Sequence, residues 1–360
     1  MSACDTPRFG ETRMRPELQT LHTSIEETGN AKRRWHSRSS VRVILDDGDG
    51  HVGLGEAAPL PGMSQESASE ARAALAGFDW PDAPLLELAE IAERVALIDA
   101  SLPSARFAAE SALASLAASI HEVPLWAMWS ETSEEIAIAN ALWGTDEGAI
   151  LRSAREAAAY EAVAAKIKIG WQPPARENAL LRDIRAVLGP IELRLDANGS
   201  ILPEELAQRL EQLAAHEPDL LEEPCALEHV EALSEVPFPI AVDETLSGPE
   251  GEAILERALA CPHVGAVVLK PTLLGGLERC RVIARRAADA GKLAIVSHTM
   301  EGVIARAAAA HLALALGGPA HGLGDHPALA PLSDGLASPW IDLAWIEPPT
   351  SPGMSLELAW

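Results

Sequence analysis

After residue 135, short apolar runs alternate regularly with longer amphipathic stretches. The short runs predict β-strands, and the longer stretches place apolar residues at helical spacing. A strand followed by a helix, repeated at this pitch, is typical of βα units in a parallel sheet. The predicted strands cover residues 136–142, 164–169, 192–196, 219–222, 240–243, 266–270, 293–297 and 320–323.

This alternation predicts a modified TIM-type barrel of the (β/α)7β kind, in a domain over residues 131–330. Predicted barrel helices include residues 204–215, 277–290 and 302–316. A doubly wound open sheet is the structural alternative. It requires a glycine-rich phosphate-binding turn after an early strand, and no GxGxxG follows any of the predicted strands.

The opening third has a different, α+β character. Residues 41–45 and 51–56 alternate as strands around the turn sequence 46–50, which predicts a β-hairpin. Helical patterns follow at 64–75, 83–100 and 103–120, whereas the first 40 residues show no assignable pattern. We expect an N-terminal capping domain over residues 1–130. Residues 331–360, with Trp340, Trp345 and Trp360, are expected to pack back on it and complete it.

Composition and charge disfavour two classes of partner. The formal charge of −25 disfavours nucleic acid and anionic membranes as partners. No apolar run approaches the roughly 18 residues that span a bilayer, and the polar N-terminus does not resemble a secretion signal. The four cysteines are scattered, which predicts reduced thiols in a cytoplasmic protein. Its expected oligomeric state is either a monomer or a homo-oligomer. The basic Lys32-Arg33-Arg34 is either a solvated loop or a loop that meets an anionic ligand.

Five consecutive central strands end in a charged residue, at intervals of 28, 26, 21 and 27 residues. In a barrel, the carboxyl ends of the strands converge on one mouth, where active sites lie. A cluster of salt bridges that closes the barrel is the structural alternative, but opposite charges at five matching positions favour an active site. Lys166 shares a face with the first of them, because side chains two apart on a strand point the same way. The five residues are Lys168, Asp196, Glu222, Asp243 and Lys270.

Three carboxylates without histidine or cysteine form an oxygen donor set that suits Mg²⁺, with Mn²⁺ as the alternative cation. We expect the ligands Asp196, Glu222 and Asp243. Glu223 and Glu244 follow directly, face the other way and could contact the lysines, and Asn198 could orient a ligand or a bound water. A metal and a neighbouring ammonium lower the pKa of a lysine, and a metal can stabilise the enediolate of a carboxylate substrate.

In chain order, the ends of the five strands read KxK, DxN, EEP, DE and KP. This series of motifs resembles the enolase superfamily, in its muconate-lactonizing-enzyme-like branch. Within the branch, residues 55–66, 193–198, 221–225 and 270–273 look like the o-succinylbenzoate synthase family. The resemblance implies that Lys168 removes the α-proton and that Mg²⁺ holds the enediolate, while Lys270 stabilises it from the opposite side. It also implies that Lys166 keeps Lys168 poised, and that water leaves to form o-succinylbenzoate, in menaquinone synthesis.

Substrate specificity depends on the residues that surround the shared catalytic set. Ser297 and Thr299 fit the small hydroxyl residues that line the pocket for the succinyl carboxylate in that family. His298 is either a loop residue or a substrate contact, and Arg194 either faces substrate anions or forms a structural ion pair.

The main rivals are an N-succinylamino acid racemase and a dipeptide epimerase of the same branch, which share the proton-abstracting residues. Epimerases tend to carry an Asp-x-Asp element after the last strands, whereas residues 321–326 contain one aspartate, Asp325. A barrel kept as a non-enzymatic binding protein would normally lose one of the five charged positions.

Overall fold

A computed structural model describes residues 14–29, 33–144, 146–324 and 326–358. It opens with a three-stranded antiparallel sheet of order β1-β2-β3. The predicted hairpin is confirmed as β2 and β3, and β1 lies in the stretch where the sequence shows no assignable pattern. Alternate residues of β2, among them Val41, Val43 and Leu45, are fully buried. The strands are β1 (Glu17–Gly29), β2 (Arg34–Asp46) and β3 (Val52–Ala57).

Two helices, α1 (Ala68–Gly77) and α3 (Pro103–Ile120), pack on this sheet, and α2 (Leu88–Val95) packs against α3. Ser67 caps α1 in a capping box with Glu70. The helix predicted over 83–100 was too long, because Pro84 disfavours a helical residue before it and the chain turns after Val95. The sheet lies close to α3, and a Cβ atom at Gly55 would come within 1.9 Å of the Ala108 carbonyl oxygen.

The predicted alternation forms a seven-stranded parallel sheet of order β11-β10-β9-β8-β7-β6-β5. Its strands are buried runs of alanine, valine, leucine and isoleucine, as expected for strands covered on both faces. The short strand β4 (Ile136–Ala137) precedes this sheet and is not part of it. The seven strands of the sheet are β5 (Ala139–Leu142), β6 (Ala164–Lys168), β7 (Glu192–Asp196), β8 (Leu220–Glu222), β9 (Ile240–Val242), β10 (Val264–Leu269) and β11 (Leu293–Val296). The helices are α4 (Glu147–Ala159), α5 (Pro174–Leu188), α6 (Leu206–Ala214), α7 (Leu227–Glu231), α8 (Gly251–Ala260), α9 (Pro271–Leu274), α10 (Leu277–Asp289) and α11 (Val303–Leu316).

The two edges of this sheet are joined around His321, which confirms the barrel. Parallel bridges pair Ile138 with His321 and Ser297 with Gly322. The segment predicted as an eighth strand over 320–323 is therefore reduced to these two bridges. The strand predicted over 136–142 is divided, because β4 pairs with a strand of the C-terminal tail while β5 joins the barrel.

The C-terminal tail returns to the end of the N-terminal helices. It contains β12 (Leu336–Ala337), β13 (Trp345–Ile346) and β14 (Glu357–Leu358), of which β12 pairs with β14 and β13 with β4. Leu125 N donates to Gly353 O at 2.8 Å, and Trp126 Nε1 donates to Pro349 O at 3.0 Å. These bonds join the tail to the segment that follows α3. The completion of the capping domain by the tail and the domain boundaries near 130 and 330 stay predictions. Trp360 lies outside the described residues.

Two further expectations concern the cysteines and membrane-spanning helices. Cys225, Cys261 and Cys280 are buried free thiols, in agreement with reduced cysteines, while Cys4 lies outside the described residues. In the ranges that the structure describes, the helices are too short or too polar to cross a membrane.

Candidate active site

The parallel register brings three of the predicted site residues into one row across neighbouring strands. Lys168 of β6 pairs with Asp196 of β7, and Asp196 pairs with Glu222 of β8. Asp243 and Lys270 directly follow β9 and β10. All five predicted strand-end charges therefore lie at the carboxyl end of the barrel, where the fold gathers side chains from different strands.

Two of the three lysines form short ion pairs with these carboxylates. Lys166 Nζ lies 2.5 Å from Glu222 Oε2 and 3.0 Å from Asp196 Oδ2. Lys270 Nζ lies 2.5 Å from Asp243 Oδ2. The three carboxylates are buried, so their charges are balanced by ammonium groups instead of water.

Lys168 differs from the other two lysines. Within the described ranges, its amine forms no ion pair, and its side chain is exposed to the space above the barrel. The surrounding protein displaces enough water to lower the pKa of Lys168 below its ordinary value. Asp196 opposes this shift, whereas the ammonium groups of Lys166 and Lys270 add to it.

The other two lysines shift in the opposite direction. Burial disfavours their charge, but the carboxylates outweigh it and raise the pKa of Lys166 and Lys270 above the ordinary value. The three lysines therefore divide into two fixed cations and one amine that loses its proton more readily.

The second carboxylate of each acidic pair contacts neighbours other than the lysines. Glu223 Oε2 accepts a hydrogen bond from Asp243 N at 2.7 Å, and burial raises the pKa of Glu223 to about 7. Glu244 Oε1 accepts a bond of 2.6 Å from Asn198 Nδ2. Asn198 N also donates to Asp196 Oδ1 at 3.0 Å, so Asn198 links Glu244 to the Asp196 carboxylate.

The donor chemistry of the three carboxylates suits a hard divalent cation. As arranged in the described part of the chain, no three His, Cys, Asp or Glu side chains form a metal-holding group. Lys166 and Lys270 are bonded to oxygens of these same carboxylates. A cation would therefore compete with the two ammonium groups for the oxygens of Asp196, Glu222 and Asp243.

A cavity of about 450 Å³ lies over the mouth of the barrel. All three lysines line it, together with Asp196, Asn198 and Glu244. Glu222 and Asp243 are not among the lining residues, although the ammonium groups bonded to them are. The opposite wall comes from the N-terminal domain and contains Glu26, Glu27, Arg34, Trp35, Leu60 and Met63.

The loop after β11 forms a third wall, through Ser297, His298, Thr299 and Met300. The Ser297 hydroxyl donates to Gly322 O at 3.0 Å, and the Thr299 hydroxyl donates to Glu301 at 2.8 Å. His298 Nδ1 accepts from Met300 N at 3.1 Å. Burial lowers the pKa of His298 to about 4, so this imidazole is neutral near pH 7.

The structure places Arg194 in a structural ion pair. Its Nε lies 2.7 Å from Glu192 Oε1, and its Nη1 donates to Ala320 O at 2.7 Å. Its side chain is fully buried, and it is not one of the residues that line the cavity. Of the two alternatives for Arg194, the structure therefore agrees with the ion pair.

Sequence patterns missed the residues that support the mouth from behind. Glu177 of α5 accepts a bond of 2.6 Å from Gly170 N, just beyond Lys168, and pairs with Arg209 of α6. Glu56 of β3 accepts from Gly302 N and Ala305 N at the start of α11. Glu56 belongs to a stretch that resembles the family, but its contacts lie about 250 residues away, so no local pattern reveals them.

Comparison with known proteins identifies the class. The family model described as "Enolase C-terminal domain-like" matches residues 149–360. The chain belongs to this family and is an enzyme of the enolase superfamily, which confirms the resemblance inferred from the strand ends.

Individual proteins give finer similarities. The chain is 30% identical over 293 residues to an o-succinylbenzoate synthase from Yersinia enterocolitica, covering 78% of this chain and 80% of that protein. Its fold resembles the L-Ala-D/L-Glu epimerase from Bacillus subtilis, with a TM-score of 0.84, 22% identity and coverage of 97% and 99% of the two chains. The muconate lactonizing enzyme from Pseudomonas fluorescens gives a TM-score of 0.83 at 20% identity, with 97% of each chain covered.

Proposed function

We propose that this chain is an o-succinylbenzoate synthase, a magnesium-dependent lyase. The observation that carries the proposal is the difference between Lys168 and its neighbours at the cavity. Lys168 is the lysine with a lowered pKa, while Lys166 and Lys270 are held as cations by carboxylates. The identity of 30% to a protein of that activity supports the choice of substrate.

The three lysines have distinct roles in the proposed reaction. Lys168 Nζ accepts the α-proton from C1 of 2-succinyl-6-hydroxy-2,4-cyclohexadiene-1-carboxylate. Lys270 remains an ammonium and stabilises the negative charge that develops on the substrate carboxylate. Lys166 remains an ammonium beside Lys168, and its positive charge adds to the burial that lowers the pKa of Lys168.

Proton transfer back from Lys168 completes the elimination. The C6–O bond breaks, the departing hydroxide takes the proton from Lys168, and one water leaves as the ring becomes aromatic. The C1–H and C6–O bonds are thus replaced by a C1–C6 double bond, with no oxidant or reductant. Lys168 ends the cycle neutral and can accept the next proton.

Asp196, Glu222 and Asp243 would hold Mg²⁺. When bound there, Mg²⁺ would withdraw electron density from the substrate carboxylate and make the α-proton more acidic. Asn198 and Glu244 would orient Asp196, because the Asn198 backbone N–H donates to the Asp196 carboxylate and the Asn198 side chain donates to Glu244. We also infer that Ser297 and Thr299, which line the cavity, contact the succinyl end of the substrate.

A dipeptide epimerase is the second candidate, because it begins with the same α-proton transfer. Glu26 and Glu27 line the wall of the cavity that comes from the N-terminal domain, where they could meet the ammonium group of a dipeptide. Asp325, which bears on the Asp-x-Asp comparison, lies outside the described residues. The solved epimerase supports the shared fold alone.

The deciding experiment supplies the cyclohexadiene carboxylate and Mg²⁺ to the purified protein and follows the absorbance of the aromatic product. Lys168→Ala and Lys168→Arg should each lower turnover by at least about 100-fold, because an arginine keeps the charge but cannot act as a base. Substantial turnover by Lys168→Arg would mean that the residue acts only through its charge. If the wild-type protein forms no product, the synthase proposal fails, and deuterium exchange into dipeptides and N-succinyl amino acids tests the alternatives.

A further inference from the structure

Arg38 of β2 is a buried cation that contacts backbone carbonyls instead of a carboxylate. Its Nε donates to Met300 O at 2.9 Å, its Nη1 to Pro59 O at 3.0 Å and its Nη2 to Ala58 O at 2.7 Å. The residue is only 3% exposed, and none of the ion pairs found in the described ranges includes it. Because a buried guanidinium is costly without partners, these three bonds stabilise Arg38 in its buried position, and the nearby charges of Glu301 and Glu56 add to this.

The three carbonyls belong to two loops that line the cavity from different domains. Residues 58–63 come from the N-terminal domain and supply Leu60 and Met63 to the cavity. Residues 297–300 come from the barrel, after β11, and form the third wall of the cavity. One guanidinium therefore fixes the separation of the two walls between which a substrate would lie.

The Met300 contact is also a point of backbone strain. Met300 has φ = 60°, a left-handed conformation that is unfavourable for a non-glycine residue. Its N–H donates to His298 and its carbonyl accepts from Arg38, so both polar groups of this residue are held. Loss of the guanidinium would remove one of the two bonds that keep residues 298–300 in this conformation.

We propose that Arg38 is a positioning residue that sets the width of the substrate cavity by clamping residues 58–63 to residues 297–300. This role of Arg38 rests on the proposed function in one respect, namely that this cavity binds the substrate. Arg38 is not a lining residue, so its effect passes through the two loops.

The test compares Arg38→Met with Arg42→Met. Arg42 lies on the same strand and is also largely buried, but its guanidinium pairs with Asp334 at 3.1 Å, and its sheet neighbour Glu56 is its indirect link to the start of α11. We expect Arg38→Met to raise KM by about 10-fold to 100-fold with kcat within about threefold of wild type, because displaced walls weaken binding of the substrate. Arg42→Met should leave both constants within about twofold. A KM for Arg38→Met that matches the control would overturn the proposal.

A measurement without substrate separates this proposal from the synthase activity. Amide hydrogen exchange should accelerate at least about tenfold in residues 58–63 and 297–300 of Arg38→Met, and in neither segment of Arg42→Met. This result is expected even if the wild-type protein does not dehydrate the cyclohexadiene carboxylate, and unchanged exchange in both segments would refute the clamp. If Arg38→Met does not fold, Arg38→Lys serves instead, since an ammonium keeps the charge but cannot reach three carbonyls in the geometry of the guanidinium.

Discussion

Glu110 should make the stability of this enzyme depend on pH near neutrality. It lies on α3, is buried, and accepts hydrogen bonds from Leu277 N at 2.6 Å and Glu278 N at 2.8 Å. These N–H groups begin α10, so one carboxylate joins the N-terminal helices to the barrel. A helix N-terminus stabilises an anion, but burial acts more strongly and raises the pKa of Glu110 from 4.5 to about 7.

The raised pKa gives the direction and the size of the effect. Between pH 4.5 and 7 the unfolded chain has lost this proton while the folded chain keeps it, so folding takes up a proton and stability falls as pH rises. Each pKa unit corresponds to about 1.4 kcal/mol, and the shift from 4.5 to about 7 therefore removes about 3 kcal/mol of stability by pH 8.

Glu110→Gln isolates this effect, because glutamine has a similar shape and does not titrate. We expect the free energy of unfolding of the wild type, relative to Glu110→Gln, to fall by about 3 kcal/mol from pH 4.5 to pH 8. Urea denaturation followed by circular dichroism measures both proteins, and Glu93→Gln, at an exposed position on α2, is the control. A difference that stays constant within about 0.5 kcal/mol over this range would show that the helix N-terminus offsets burial and that the pKa of Glu110 is not raised.

Three further predictions concern the site. Asp196→Asn should weaken Mg²⁺ binding by at least about tenfold in a calorimetric titration, and unchanged affinity would remove Asp196 from the ligand set. Treatment with EDTA should abolish turnover and added Mg²⁺ should restore it, whereas turnover that persists without a divalent cation would contradict the proposed lyase. Glu177→Gln leaves Arg209 buried without its carboxylate and should cost about 3–5 kcal/mol in urea denaturation; a loss below about 1 kcal/mol would mean that this pair is solvated.

The barrel and the charged strand ends were predictable because both depend on local spacing. Apolar runs at a regular pitch define the βα units, and Lys166 and Lys168 share a face because a strand has a period of two. The parallel register then brings Lys168, Asp196 and Glu222 into one row without further information from the sequence.

The opposite wall of the cavity was not predictable from local spacing. β1 has no hydrophobic alternation clear enough to identify it, since most of its residues are exposed or only partly buried. Arg38 contacts a carbonyl 262 residues away, and Glu110 contacts amides 167 and 168 residues away. Isolated buried charges of this kind carry no periodic signal, because their partners are determined by how the two domains pack.

The difference between the two lysines of β6 arises from neighbouring strands. Lys166 and Lys168 lie on one face, two residues apart, yet their pKa values shift in opposite directions. Both line the cavity, but Lys166 pairs with carboxylates from β7 and β8, whereas the Lys168 amine forms no ion pair in the described ranges. The repulsion from Lys166 that helps to lower the pKa of Lys168 therefore persists only while Asp196 and Glu222 keep Lys166 charged. A substitution of either carboxylate should consequently alter the base as well as the cation site.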